Sequence, residues 1–120
     1  MSDLGHILIV DDEPSVVYTL KCILEKVGYR ISSAEDWEQA RAALNSETVD
    51  VIICDLALNG ENGAKLLENA RALQPEVGQV LLTGYAPPEM IEELESRGIA
   101  VFMKPVEMAR SRSSRTGLPA

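Results

Sequence analysis

The chain has 120 residues, of which 46% are hydrophobic and 25% charged, a balance typical of one globular domain. Its net charge is −8, which argues against a nucleic-acid-binding surface, because phosphate contacts require an excess of lysine and arginine. No basic and apolar leader precedes the first predicted strand. No apolar run approaches the roughly 18 residues that a membrane span needs, so we expect a cytoplasmic domain without membrane contact.

The first predicted unit is a strand followed by a helix. The apolar run His6–Val10 predicts a strand and ends on Asp11-Asp12-Glu13. Pro14 suits the first turn of a helix, where its missing N–H is not needed. Apolar residues then recur at three- and four-residue spacing up to Val27, and Gly28 ends the helix. This pattern predicts one buried helix face.

The rest of the chain repeats this alternation of strands and helices. Residues 29–34 predict a second, more polar strand that suits a sheet edge, and Val49–Asp55 predicts a buried strand. The remaining predicted elements are helices over 37–44 and 64–73, a short acidic helix after Pro87-Pro88, and strands over 79–83 and 99–103. Five strands alternating with four helices predict a doubly wound α/β fold with a parallel sheet.

Reactive side chains follow four of the five predicted strands. They are Asp11 and Asp12 after the first strand, Asp55 after the third, Thr83 after the fourth and Lys104 after the fifth. Because parallel strands end at the same edge of a sheet, we expect these side chains to converge there. Each also has a plain structural interpretation, such as a helix-terminal charge, a turn cap, a strand-end hydroxyl or a solvated cation.

The converging groups favour phosphate chemistry with a hard metal ion. Two carboxylates about 4 Å apart repel by about 4 kcal/mol at an effective dielectric of 20, so three would have to bind protons, splay apart or share a cation. Oxygen ligands suit Mg²⁺ better than Zn²⁺. A lysine and a threonine beside them would bind a doubly charged tetrahedral anion. A carboxylate nucleophile, a metal and a lysine together fit the formation of an aspartyl-phosphate.

Four motifs at these positions resemble those of one family. They are residues 7–13, residues 55–58 followed by Gly63, residues 82–85, and residues 103–105. Over residues 4–108 the chain resembles the receiver domain of bacterial two-component response regulators. The resemblance implies a CheY-like, flavodoxin-like fold with strand order 2-1-3-4-5. Residues 109–120, with three arginines and no acid, are expected to be a disordered tail, with a basic docking arm as the alternative.

The resemblance also implies a role for each site residue. Asp55 would accept a phosphoryl group from a phosphohistidine on a histidine kinase or phosphotransfer protein. Lys104 would pair with the phosphoryl oxygens, and the Thr83 hydroxyl would move in to bond one of them. Asp55, Asp12 and the main-chain carbonyl of Ala57 would bind Mg²⁺ directly, and Asp11 would help through water. Phosphorylation would then change how the domain contacts an output domain or protein.

The chain departs from the family pattern in three places, the mildest being Asn59 in a turn where many members have proline. The family carries an aromatic residue three positions before the lysine, where this chain has Val101. The neighbouring Phe102 is expected to point into the core. The amphipathic last helix of the family is expected to be short or absent, because residues 110–119 have no apolar face.

Two other functions compete with a phosphorylation switch. A degenerate receiver would act only as a docking module, but the five site positions are intact. An aspartate-nucleophile phosphohydrolase would share the magnesium, aspartate, threonine and lysine. Such enzymes commonly need a second acid two residues after the nucleophile, and that position is Ala57. The sequence therefore favours a signalling domain over an enzyme.

Overall fold

The molecule is built from alternating strands and helices. The computed structural model describes residues 4–58 and 60–104. Within this range the elements are β1 His6–Val10, α1 Pro14–Val27, β2 Arg30–Ala34, α2 Trp37–Ser46, β3 Val51–Asp55, β4 Ala57–Leu58, β5 Glu61–Asn62, α3 Gly63–Leu73, β6 Gly78–Thr83, α4 Pro88–Ser96 and β7 Ile99–Met103. The expected last helix and the tail at 109–120 lie outside the described residues.

Five parallel strands form the central sheet in the spatial order β2-β1-β3-β6-β7. Counting the five long strands along the chain, this is the predicted order 2-1-3-4-5. The polar strand β2 lies at the edge, as predicted, and the apolar strand β3 lies at the centre. The fold is therefore the doubly wound α/β architecture that the strand and helix alternation predicts.

Helices cover both faces of the sheet. One core cluster joins side chains of α2, α3 and α4 to one face, and its fully buried members include Leu8, Ile52 and Leu81. A smaller cluster joins α1 to the other face around Ile9 and Ile53. Because β3 contributes to both clusters, it carries the near-continuous apolar run of a strand that is buried on both sides.

The residues at which α1, α2 and α3 begin can be explained by the helix-starting residues in the sequence. Pro14 occupies the first turn of α1. The Asp36 side chain caps α2 by accepting a hydrogen bond from the Gln39 N–H at 2.9 Å. Asn62 caps α3 in the same way, accepting from Ala64 and Lys65. No described helix is long and apolar enough to cross a membrane.

Three expectations about burial and the loops were wrong. Phe102 is 57% exposed instead of pointing into the core. It pairs with Leu82, whose side chain belongs to the α1 cluster, so the strand alternation places Phe102 on the α1 side of an edge strand. Val101, on the opposite side, packs against the larger core. Ile23 and Val27 of the predicted buried face are also exposed.

The third correction concerns the segment after β3, which the turn dipeptides predict as a loop. It contains a short antiparallel ribbon, in which Ala57 pairs with Asn62 and Leu58 with Glu61. Gly60 lies between the two strands with a φ of 84°, a conformation that favours glycine. The ribbon was missed because two-residue strands have no detectable hydrophobic period.

Candidate functional site

Strand register brings the reactive residues to one edge of the sheet. Val10 pairs with Cys54, so Asp11 and Asp55 follow paired positions on neighbouring strands. On the other side of β3, Thr83 pairs with Met103, and Lys104 is the next residue. The Lys104 N–H donates to the Thr83 carbonyl at 2.8 Å and continues the sheet by one hydrogen bond. This edge is the carboxyl end, where ligands bind in open α/β sheets.

Three carboxylates form an acidic cluster at this edge. One oxygen each from Asp11, Asp12 and Asp55 lies within 4.8 Å of the others. Asp11 and Asp55 are buried, with 2% and 7% of their surfaces exposed, and Asp12 is half-buried. Like charges this close in a partly dehydrated site repel each other, so the cluster is electrostatically strained without a cation.

Asp11 shows this strain most clearly. Its Oδ1 accepts a hydrogen bond from the Glu13 N–H at 2.9 Å, but its buried Oδ2 accepts none from the described residues. Burial raises the pKa of the Asp11 carboxyl, the charge of Asp55 raises it further, and the hydrogen bond from Glu13 and the charge of Lys104 lower it. The net result is a raised pKa, which means that the folded protein disfavours the Asp11 charge.

Lys104 is the cation that the described structure places beside these acids. Its Nζ donates to Asp55 Oδ2 at 3.1 Å and lies 3.5 Å from Asp11 Oδ2. Only 17% of its side chain is exposed. Burial lowers the pKa of Lys104, but hydrogen bonds to Glu13 and Asp55 and the charges of Asp11 and Asp55 outweigh it and raise the pKa. Lys104 therefore stays charged at neutral pH.

Glu13 is a site residue that the sequence interpretation missed. Its Oε1 accepts the shortest hydrogen bond of Lys104, at 2.7 Å, across 91 residues of chain. Glu13 is the last residue of the motif over residues 7–13. The sequence alone gives it no role in the site, because a glutamate before a helix is ordinarily a favourable N-terminal charge. The signal that could have identified it is its place on the same strand-end loop as Asp11 and Asp12.

The structure does not bring the Thr83 hydroxyl onto Asp55 or Lys104. Thr83 is buried, and its Oγ1 donates to the Tyr85 carbonyl at 2.8 Å and accepts from the Tyr85 N–H at 3.2 Å. These two hydrogen bonds close a local turn, in which the hydroxyl is oriented toward the backbone of Tyr85. Thr83 is thus at the predicted edge but with its hydroxyl held by the backbone.

The loop after β3 packs closely on Asp55. The Ala57 N–H points to Asp55 Oδ1 at 3.4 Å, and the Gly63 N–H donates to the Leu56 carbonyl at 2.7 Å. A Cβ at position 63 would overlap the backbone carbonyl of Asp55, so only glycine allows α3 to start this close to β3. The close approach holds the segment that contains the Ala57 carbonyl beside the acidic cluster.

The donor set fits a hard divalent cation. It consists of carboxylate oxygens, with no histidine or cysteine in the group, and one buried carboxylate oxygen has no hydrogen-bond donor among the described residues. Such oxygen-rich sites suit Mg²⁺. The fold and this cluster together define an α/β domain with a magnesium-type acidic pocket at the carboxyl end of its sheet.

Comparison with known proteins identifies the family. Residues 7–114 match the family model described as the response regulator receiver domain. The chain is 29% identical over 104 residues to the transcriptional regulatory protein GlrR of Escherichia coli, covering 86% of this chain and 23% of that protein. The chain therefore belongs to the receiver domains of two-component response regulators, which are phosphorylation-dependent signalling domains. It spans about a quarter of the length of this relative.

Solved structures agree with this assignment. A CheY-like receiver domain from Methanospirillum hungatei is 34% identical, with a TM-score of 0.77, and the match covers 87% of this chain and 84% of that one. The response regulator TrrA of Thermotoga maritima, solved in complex with Mg²⁺-BeF, is 29% identical with a TM-score of 0.74. That match covers 88% of this chain and 91% of TrrA. Acidic pockets of this family generally bind Mg²⁺.

Proposed function

We propose that Asp55 is the phosphoacceptor of this receiver domain. Its partner would be a sensor histidine kinase or a phosphotransfer protein that carries a phosphohistidine. The observation that supports the proposal best is the hydrogen bond that Asp55 Oδ2 accepts from Lys104 Nζ beside the acidic cluster. It joins a carboxylate nucleophile to a permanent cation at the ligand-binding end of the sheet.

The transfer exchanges one bond to phosphorus for another. A carboxylate oxygen of Asp55 forms the new O–P bond while the P–N bond to the donor imidazole breaks. The electron pair of that bond stays on the imidazole nitrogen. Lys104 offsets the charge of the incoming phosphoryl oxygens. The Thr83 hydroxyl, held by Tyr85 before transfer, turns to donate to one of these oxygens.

Asp11, Asp12, Asp55 and the main-chain carbonyl of Ala57 would hold Mg²⁺ in this site. When bound, the ion supplies positive charge that neutralises the phosphoryl oxygens and the crowded carboxylates. Asp11 Oδ2 supports this assignment, because it is buried and accepts no hydrogen bond from the described residues, although Lys104 Nζ lies 3.5 Å away, and such an oxygen is expected where a ligand completes the site.

We further propose that the receiver domain comprises residues 4–108 and acts in the cytoplasm as a signalling module. Residues 109–120 would form a tail outside the domain. Phosphorylation would alter contacts with an output domain or protein. The domain would assist its own phosphorylation and dephosphorylation but turn over no metabolite. In particular, Ala57 has no carboxyl group to act as the second acid that an aspartate-based phosphohydrolase commonly needs.

Intact mass measurement tests this function. Incubation with Mg²⁺ and phosphoramidate should add the mass of one phosphoryl group to the wild-type chain and none to Asp55→Ala. Asp50→Asn is the matched control, because it changes a carboxylate immediately before the opposite end of β3 and keeps an oxygen acceptor for the His6 N–H. An equal adduct on Asp55→Ala would contradict the proposal. Absence of an adduct on the wild type would instead support a docking module.

A further inference from the structure

We propose that Glu13 is a positioning residue that restrains Lys104 until a phosphoryl group occupies Asp55, an inference that rests on the proposed function. In the described state Lys104 hydrogen-bonds two carboxylates and lies 3.5 Å from a third, that of Asp11. Its Nζ lies 2.7 Å from Glu13 Oε1 and 3.1 Å from Asp55 Oδ2. The shorter of two charge-assisted hydrogen bonds is ordinarily the stronger, so Glu13 is the main partner of Lys104.

The backbone position of Glu13 explains how it reaches the lysine. Glu13 is the N-cap residue of α1, yet its side chain makes no capping hydrogen bond. Its N–H instead donates to Asp11 Oδ1 at 2.9 Å, which fixes the loop against the acidic cluster. The side chain is thereby directed toward β7, where it contacts Lys104. One residue thus connects the end of β1 to both the proposed metal pocket and the proposed phosphoryl-binding cation.

This arrangement opposes phosphorylation in two ways. Lys104 must exchange the Glu13 carboxylate for the phosphoryl oxygens, so the Glu13 contact is weakened in the product. The Glu13 carboxylate also remains at the same rim as the new negative charges and repels them. Glu13 therefore favours the unphosphorylated state. Its side chain is 57% exposed, so solvent screening limits the size of the effect.

Binding of beryllofluoride, a phosphoryl mimic, in the presence of Mg²⁺ tests the inference. Glu13→Gln should tighten mimic binding and speed phosphorylation by phosphoramidate by roughly fivefold, the upper range for an ion pair with an exposed partner. The matched control is Glu35→Gln. It removes the same charge from the loop that lines a cavity with Asp11 and Asp12, and Glu35 has no described contact with Lys104. We expect its mimic affinity to match the wild type.

A double-mutant cycle separates positioning from a general charge or folding effect. In a Lys104→Met background, Glu13→Gln should change mimic affinity far less than fivefold, because the contact with Lys104 is gone and only the screened repulsion from the exposed Glu13 carboxylate is removed. A fivefold effect that persists without Lys104, an equal effect of Glu35→Gln, or no effect of Glu13→Gln would each overturn the inference. If the wild type neither binds the mimic nor becomes phosphorylated, the proposed function itself fails. If only the Glu13 effect is missing, the function stands and this inference does not.

Discussion

β1 and β3 lie side by side at the centre of the sheet, and polar side chains lie at both of their ends. At the amino end, His6 of β1 is buried beside Asp50, which immediately precedes β3. At the carboxyl end, Asp11 follows β1 and Asp55 ends β3. Both ends therefore place ionisable groups on or next to the same two strands, but their hydrogen bonding differs.

Polar groups at the amino end are satisfied within the protein. The His6 N–H donates to Asp50 Oδ2 at 2.8 Å, and its ring nitrogens lie 3.0 Å from the Thr48 carbonyl and 2.7 Å from Ser32 Oγ. Because a carbonyl can only accept, Nδ1 carries hydrogen. Nearby, the Gln74 side chain accepts from the Val49 N–H and donates to two backbone carbonyls.

At the carboxyl end, Lys104 compensates only part of the negative charge. Three carboxylates crowd within 4.8 Å, and the buried Asp11 Oδ2 accepts no hydrogen bond from the described residues. Buried polar groups with complete partners stabilise a fold, whereas incomplete ones are costly and mark places where a ligand completes the structure. The difference between the two ends thus separates structural polar groups from those available for binding.

Asp11→Asn should produce the largest change at the carboxyl end. The substitution removes a charge but preserves side-chain shape and the acceptor for the Glu13 N–H. We expect the Mg²⁺ affinity to fall roughly 10- to 100-fold, the range for residues that support a metal site. We also expect the metal-free protein to gain unfolding free energy, because burial raises the pKa of Asp11 and the folded protein therefore disfavours its charge.

Isothermal titration with Mg²⁺ and denaturant unfolding in a chelator would measure both effects. Asp50→Asn is the control at the amino end and should leave the Mg²⁺ affinity unchanged. Loss of stability in metal-free Asp11→Asn would show that the acidic cluster is satisfied internally, and the contrast between the two ends would then be wrong.

Gln74→Met, at the amino end, should destabilise the fold without affecting the site at the carboxyl end. It keeps a long side chain but removes the acceptor of the buried Val49 N–H and the donor to the Leu44 and Glu47 carbonyls. We expect a loss of about 2 kcal/mol of unfolding free energy, the usual cost of an unsatisfied buried group. Phosphorylation of the folded protein at Asp55 should be unchanged.

Urea unfolding monitored by circular dichroism would measure this loss. Gln39→Met is the matched control, because the Gln39 side chain accepts a hydrogen bond from the exposed Glu35 N–H and a smaller loss is expected. A full loss of phosphorylation in folded Gln74→Met would mean that the two ends are coupled.

The sequence predicted the carboxyl end better than the amino end, for a physical reason. Asp11, Asp55 and Lys104 immediately follow apolar runs, and parallel strands must end together, so local patterns were enough to place them on one edge. The partners of His6 and Gln74 come from distant segments. Sequence spacing gives no information on contacts such as the one between Gln74 and Val49, which depend on how helices pack.

The dependence on contacts between distant segments also explains why the exposure of Phe102 in β7 and the contact of Glu13 with Lys104 were not predicted. The side of the sheet that Phe102 faces depends on its register with Leu82, and a one-residue difference in register reverses the face. The Glu13–Lys104 contact joins the loop between β1 and α1 to the residue that follows the last described strand. Neither feature has a local pattern, whereas the carboxyl ends of β1, β3 and β7 were predicted to the residue.

The pH dependence of stability gives the smallest but most direct comparison of the two ends. The folded protein raises the pKa of Asp11, chiefly by burial. The stability that Asp11 contributes is therefore complete below its unfolded value, about 4, and is lost as the pH rises through the folded value. At the amino end, the Arg30 guanidinium hydrogen-bonds Glu47 at 2.7 Å and lowers the pKa of Glu47. The stability from Glu47 is present above about pH 4 and is lost as the pH falls through its folded value.

Unfolding free energies measured in a chelator from about pH 3 to about pH 7, the range in which carboxyl groups titrate, would test these opposite signs for the wild type, Asp11→Asn and Glu47→Gln. The advantage of Asp11→Asn over the wild type should grow as the pH rises. The deficit of Glu47→Gln should also grow with pH and vanish in acid, and it should remain small because Glu47 is exposed. If both variants differed from the wild type in unfolding free energy with the same sign, the charges at the carboxyl end would stabilise the fold as those at the amino end do. The acidic cluster would then need no cation to explain it.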